Sequence, residues 1–135
     1  MSAKIEVDLS RTEKVWQNYP DLVAVWSFGS AQDGKISFGS DLDIALLFVQ
    51  APDFETLCNI RADLQDMLRL EDIDLMNLNT ASIVSAMEAI SGTPLFCRDL
   101  GKRAEFSSFI SRQYEDDMAQ LRRHYSKKQA ITSSS

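Results

Sequence analysis

The stretch from Gly29 to Phe48, GSAQDGKISFGSDLDIALLF, restricts this chain more than any other. An apolar run, Leu22 to Phe28, ends at Gly29-Ser30, and after ten residues Asp41-Leu42-Asp43 heads a second apolar run. Carboxylates at i and i+2 of a strand project from one face, with backbone positions roughly 6.6 Å apart at ~3.3 Å rise per residue. Both can lean onto one divalent cation, or onto a pair of ions about 3.5–4 Å apart. A glycine where the first strand ends lets backbone come close to a bulky anion, and the serine after it adds a hydroxyl and an N–H. The pattern describes a phosphate cradle facing a metal clamp.

Length and composition set the outer bounds. A chain of 135 residues, 44% hydrophobic, is the size of one domain with a packed core. A single domain over 1–130 followed by a disordered tail at 131–135 is the expected division. No internal repeat is visible. Runs such as Ile44 to Val49 are too short to cross a bilayer, and MSAKIEVDLS has no apolar signal region, so a soluble cytoplasmic protein without membrane contact is expected. Cys58 and Cys97 match neither a redox nor a zinc pattern and read as buried small hydrophobes.

The formal charge of −6 is unevenly placed: residues 1–100 carry 7 basic and 16 acidic groups, and residues 101–135 carry 7 and 4. So acidic a body repels long nucleic acid, whose non-specific affinity comes mostly from phosphate neutralisation. A small nucleotide arriving with Mg²⁺, or a basic protein, suits it better.

Capping and periodicity predict the elements. Asp8 or Ser10 starts a first helix with Val15, Trp16 and Tyr19 inward, stopped by Asn18-Tyr19-Pro20-Asp21. Leu22 to Phe28 is a buried strand, residues 31–40 a short helical turn and loop, and Asp41 to Val49 a second strand. Pro52 opens a helix as its first residue, and Phe54 to Leu70 turns Leu57, Ile60, Leu64, Met67 and Leu68 inward. Ile73 to Leu78 is a third strand carrying Asp74. Thr80 or Ser82 caps a short helix through Ile90, and Pro94 to Cys97 adds an edge strand. From about 102 to 128, Phe106, Phe109, Ile110, Tyr114, Met118, Leu121 and Tyr125 recur at three and four residues, the mark of a long helix with one apolar stripe. The fold class is α/β in the α+β sense: a small mixed sheet of three to four strands flanked by helices.

Gly-Ser, ten residues, then Asp-x-Asp resembles the signature of the polymerase-beta-like nucleotidyltransferases, in particular their small stand-alone, or minimal, branch. The resemblance spans roughly Leu22 to Arg98. It implies that Asp41, Asp43 and Asp74 are catalytic and hold two Mg²⁺ ions, since IDLMNL resembles the family's third strand, whose acid precedes an apolar pair. Asp72, two residues earlier on the same face, is the rival, but it lies where the strand begins. Gly29 and Ser30 would contact the nucleotide's phosphates. Relatives often carry an Arg three residues beyond the Ser, where this chain has Asp33, and Lys35 stands near enough to supply the missing charge. Ser40, directly before Asp41, reads first as a turn residue and joins the nucleotide-binding candidates by position. His124, the one histidine, sits on a polar helix end.

The implied activity is transfer of AMP from ATP to a hydroxyl. A chain this short has little beyond a catalytic core, so a dedicated protein acceptor is expected, gripped by the last helix. The minimal branch is commonly paired with HEPN ribonuclease toxins, and the resemblance implies an antitoxin that modifies a tyrosine of its cognate HEPN toxin. Two other readings remain: a non-catalytic module that neutralises its partner sterically, and a transferase acting on a small aminoglycoside-type substrate.

Overall fold

The computed structural model describes residues 4–37 and 39–133. Its elements in chain order are β1 (Lys4–Glu6), a 3-10 turn (Leu9–Thr12), α1 (Glu13–Trp16), β2 (Leu22–Phe28), a 3-10 turn (Gly29–Ala31), β3 (Lys35–Ser37) and β4 (Leu42–Phe48). There follow α2 (Phe54–Leu68), β5 (Ile73–Asn77), α3 (Ile83–Ile90), β6 (Thr93–Cys97) and α4 (Leu100–Ser133).

The β-branched and aromatic residues of LVAVWSF make β2 a strand buried at every position. It lies inside a four-stranded sheet ordered β5-β4-β2-β6. β2 pairs antiparallel with β4 and with β6, whereas β4 pairs parallel with β5. A parallel step needs a crossover, which α2 supplies. Leu42, Ile44 and Leu46 turn to one layer with Trp16, Ile60 and Leu64; Ala45 and Leu47 turn to the other with Ala86, Ala89 and Ile110. Both faces of the sheet are thus covered, which is why β2 and β4 read as near-continuous apolar runs.

Three side chains make hydrogen bonds across long sequence distances, two of them to backbone. The Arg98 guanidinium donates to the carbonyls of Tyr19, Leu22 and Trp16 at 2.5, 2.9 and 3.3 Å, tying the end of β6 to the end of α1. The Asn79 amide accepts from Phe48 N–H and donates to Phe48 C=O, both at 2.9 Å, standing in for one more residue of strand beside β4. The Tyr19 hydroxyl donates to Asp63 on α2 at 2.7 Å.

Several expectations are corrected. Residues 35–37 form β3, paired with β1 in a separate antiparallel sheet, where a loop was expected. The first helix is only a 3-10 turn plus one α turn, started by Asp8, whose carboxylate accepts Ser10 N–H at 3.1 Å. Asp53, not Pro52, sets the start of α2: its carboxylate accepts Thr56 N–H at 2.8 Å, so Pro52 stands outside the helix. Arg69, at φ 51°, ends α2 one residue before Leu70. Cys58 is exposed and Cys97 half-buried, because the inward stripe of α2 runs through Ile60 and Leu64 and misses Cys58. α4 spans 34 residues, longer at both ends than 102–128 and continuing to Ser133 past the expected start of a tail. Ser134 and Ser135 lie outside the described residues. Beyond Gly101 the segment contains neither Gly nor Pro, so nothing in it stops a helix. Among the described residues no helix is long and apolar enough to cross a membrane.

Burial and the neighbouring Asp63 carboxylate push the Tyr19 phenol up from 10.0 to about 12. The fold therefore favours protonated Tyr19, so stability should hold below pH ~10 and fall between pH ~10 and ~12, where only the unfolded chain releases the proton. Tyr19→Phe should cost about 1 kcal/mol at pH 7, or roughly 3–5 °C in Tm, and flatten that alkaline slope. Thermal melts from pH 7 to 12 read both effects, and an unchanged slope would remove Tyr19 as its source.

Candidate active site

Register does most of the assembly. Pairing of β2 with β4 sets Phe28 opposite Asp43, so the turn leaving β2 arrives beside that carboxylate. Pairing of β4 with β5 sets Asp43 opposite Asp74. Asp41, one residue before β4, and Asp43 share a face by the strand's alternation. Asp72, just before β5, accepts Leu42 N–H through its carbonyl at 2.9 Å.

Gly29 is fixed by two independent constraints. Its φ is +77°, and a Cβ built there would stand 2.5 Å from Asp43 Oδ2. Any side chain would be strained and would also displace the carboxylate. The turn that follows is anchored from beneath. Buried Ser27 donates its hydroxyl to the Gln32 carbonyl at 2.6 Å, and Thr93 on β6 donates to Gln32 Oε1 at 3.0 Å. Gly92 allows this approach, since a Cβ there would collide with the Ser27 carbonyl. Ser30 is left exposed at the crest of the turn, next to Asp43's neighbour Gly29.

The other candidates are placed less centrally. Asp33 accepts Lys35 N–H at 3.0 Å and so closes the turn into β3. Lys35 is exposed and stands opposite Glu6 of β1. Ser40 donates its N–H to the Ser37 carbonyl at 3.0 Å, the geometry of a turn residue. His124 is exposed on α4.

Sequence reasoning missed Glu88. It is the only charged residue of α3 (IVSAMEAI), and its field reaches Asp43. Desolvation first, then Asp74, Asp41 and Glu88, raise the Asp43 pKa above the ordinary carboxylate value. A lone acid in an otherwise uncharged helix was the available signal. Ser27, Gln32 and Thr93 were also missed, because hydroxyl and amide anchors have no spacing signature.

The donor set fits Mg²⁺, a hard cation that takes oxygen ligands. Among the described residues no three acids converge to hold one ion by themselves. That agrees with the usual habit of Mg²⁺, which binds through one or two carboxylates plus substrate phosphates instead of an all-protein cage. The clustered negative charge, the open crest at Ser30 and the missing Cβ at Gly29 are complementary to a polyphosphate bringing such ions.

A half-buried carboxylate among like charges, near the start of an inner strand of a mixed sheet and faced by a Gly-Ser turn, sits here on a polymerase-beta-like fold. Residues 11–100 match the family described as Polymerase beta, Nucleotidyltransferase, and the chain belongs to that family. No curated protein matches the chain. Among solved structures, a variant of the toxin–antitoxin pair MntA-HpeT with two Asp-to-Glu changes contains a chain that aligns at a TM-score of 0.75 and 22% identity, covering 90% of this chain and 98% of that one. A toxin–antitoxin structure with AMP-PNP aligns at 0.70 and 23%, covering 87% and 94%. A tri-AMPylated Shewanella oneidensis HEPN toxin in complex with its MNT antitoxin aligns at 0.65 and 22%, covering 88% and 95%.

Two substitutions should move stability in opposite directions at pH 7.5. Gly29→Ala should lower Tm, since a positive φ costs an L-residue about 1–2 kcal/mol before the clash with Asp43 is counted. Asp43→Asn should melt no lower than the parent and up to a few degrees higher. The raised pKa means the fold favours neutral Asp43, so its ionisation opposes folding at pH 7.5. As pH falls toward 4 the parent protonates and the difference should shrink. An Asp43→Asn protein that melts well below the parent would show that the carboxylate is structural.

Proposed function

We propose that this chain is an Mg²⁺-dependent adenylyltransferase that passes AMP from ATP to a hydroxyl of a protein acceptor, a tyrosine of a cognate HEPN-type toxin, and thereby acts as its antitoxin. The observation that carries the reading is the register that sets Asp43 beside Gly29 on one strand and opposite Asp74 on the other. Support for the acceptor comes from the similar structures, which are described as toxin–antitoxin complexes, one of them with an AMPylated HEPN toxin.

In this reading the backbone N–H groups and hydroxyl of the Gly29-Ser30 turn bind the β- and γ-phosphates, while Gly29 keeps the approach open. Asp41, Asp43 and Asp74 would hold Mg²⁺, which when bound neutralises the triphosphate and aids departure of pyrophosphate. The acceptor hydroxyl oxygen attacks the α-phosphorus, and the bond to the bridging oxygen breaks. Asp74 takes the hydroxyl proton. Lys35 adds a flexible positive charge near the cradle in place of the relatives' Arg. Ser40 serves by holding the turn into Asp41. The acidic body suits a nucleotide carrying cations and a basic protein surface, in the cytoplasm.

One observation favours a second reading, steric neutralisation without chemistry: Asp33 is committed to a backbone turn where relatives place a cation. The two, and the small-molecule reading with them, separate in one experiment, in which ATP labelled at the α-phosphate is incubated with Mg²⁺, this chain, the cognate HEPN protein and an aminoglycoside. Label on an acceptor tyrosine is expected. Label nowhere, with the toxin still neutralised, would establish the steric reading, and label on an aminoglycoside would move the acceptor to small molecules.

Asp41→Asn and Asp43→Asn should each lower transfer by roughly 10²-fold or more, the loss of transition-state charge stabilisation. Asp74→Asn should slow single-turnover transfer strongly while leaving MgATP affinity within a few-fold, whereas Asp72→Asn should be mild. A dead Asp72→Asn beside an active Asp74→Asn would reverse the assignment of the third acid.

A further inference from the structure

Over 34 residues α4 is about 51 Å long, yet the domain covers only its first part. Among its side chains whose burial is described, Ile110 is the last buried one, and from Gln120 to Gln129 every side chain is exposed. Half-buried Tyr114 and Met118 and exposed Leu121 and Tyr125 recur at four, three and four residues, the rhythm of a helix seam. Leu121 is 59% and Tyr125 62% exposed. The charges have a sharp order: Glu115, Asp116 and Asp117 come first, then Arg122, Arg123, Lys127 and Lys128 with no acid to the end of the chain. A helix that is acidic and then basic is complementary to its own reverse.

We propose that α4 packs antiparallel against α4 of a second copy, about a two-fold axis passing between Ala119 and Gln120. In that register Tyr114 faces Tyr125 of the second copy, Met118 faces Leu121 of the second copy, and symmetry repeats both layers. The seam ends at Tyr114, because one turn earlier Ser111 already lies against Met87 of α3 in its own domain. On the flanks Arg122 meets Glu115 of the second copy, and His124 meets Asp117 of the second copy. A shift of one heptad sets Glu115 against Glu115 in one direction and Arg122 against Arg122 in the other. Charge therefore selects the register that the apolar layers select. A parallel pair would bring the two basic ends and the two acidic bodies together, whereas the antiparallel pair separates the bodies.

The inference is independent of the catalytic reading, and its test uses the full chain without nucleotide. Sedimentation equilibrium should show a dimer with Kd on the order of 1–100 µM, fitting a seam of few apolar layers. Leu121→Asp should abolish it. Arg122→Glu and Glu115→Arg should each weaken it by about tenfold, and the double variant should recover to within about threefold of the parent. Far-ultraviolet circular dichroism checks that every variant stays folded. Recovery is specific to the antiparallel register, because parallel packing would pair Arg122 with Asp117. A parent that sediments as a monomer at about 200 µM, or a double variant no tighter than the singles, overturns the proposal. A monomer that instead takes up an acidic protein or an RNA fragment through Leu121 and Arg122 would give the face to that partner.

Discussion

Everything near the candidate site hangs on the alignment of β2 with β4. Their antiparallel register fixes Phe28 opposite Asp43, and from that one pairing follow the approach of Gly29 to the carboxylate and the height of Ser30 above the sheet. A slip of one residue would turn every apolar side chain of β4 to the wrong layer, so burial on both faces holds the register firmly. Leu42, Ile44 and Leu46, each without exposed surface, lock a strand whose first turn carries charge. The site is precise because the core is, and no separate device is needed to aim Asp43.

The same arrangement sets a carboxylate where it is electrostatically uncomfortable. Asp43 is half-buried, faces Asp74 across the sheet and feels Asp41 and Glu88 as well. Charges collected in this way raise one another's cost of ionisation, and a cation removes that cost. The stability of the rest of the domain, from Trp16 through Ile60 and Leu64, makes the arrangement tolerable. Local strain at a site and surplus packing elsewhere are two halves of one design.

The central strands, the crossover helix and the acid pair were legible in sequence because each has a period or a spacing: apolar runs, the i, i+3, i+4 stripe of α2, and Asp-x-Asp ten residues after Gly-Ser. What was not legible depends on pairing at a distance. β3 has only three residues, KIS, too few to show alternation, and it exists because β1 comes alongside. Pro52 looked like the first helical residue until Asp53 supplied a side-chain acceptor for Thr56, a choice between neighbours that composition cannot make. Cys58 was read inward from residue type alone, whereas the helical phase of Ile60 and Leu64 turns it outward. The anchors Ser27, Gln32 and Thr93 and the contribution of Glu88 are tertiary facts, visible only once β6 and α3 are in place.

Arg98 carries one more implication. The carbonyls it serves at Trp16, Tyr19 and Leu22 lie 76 to 82 residues earlier in the chain. On a ribosome the segment through β2 emerges long before its guanidinium partner, by about 4–16 s at roughly 5–20 residues per second. During that interval those carbonyls must bond to water instead, so the junction between α1 and β2 cannot take its final form. The domain therefore closes from both ends at once: the first helix is finished only when the last strand arrives, and a chain interrupted before residue 98 keeps an open seam beside the fully buried Trp16.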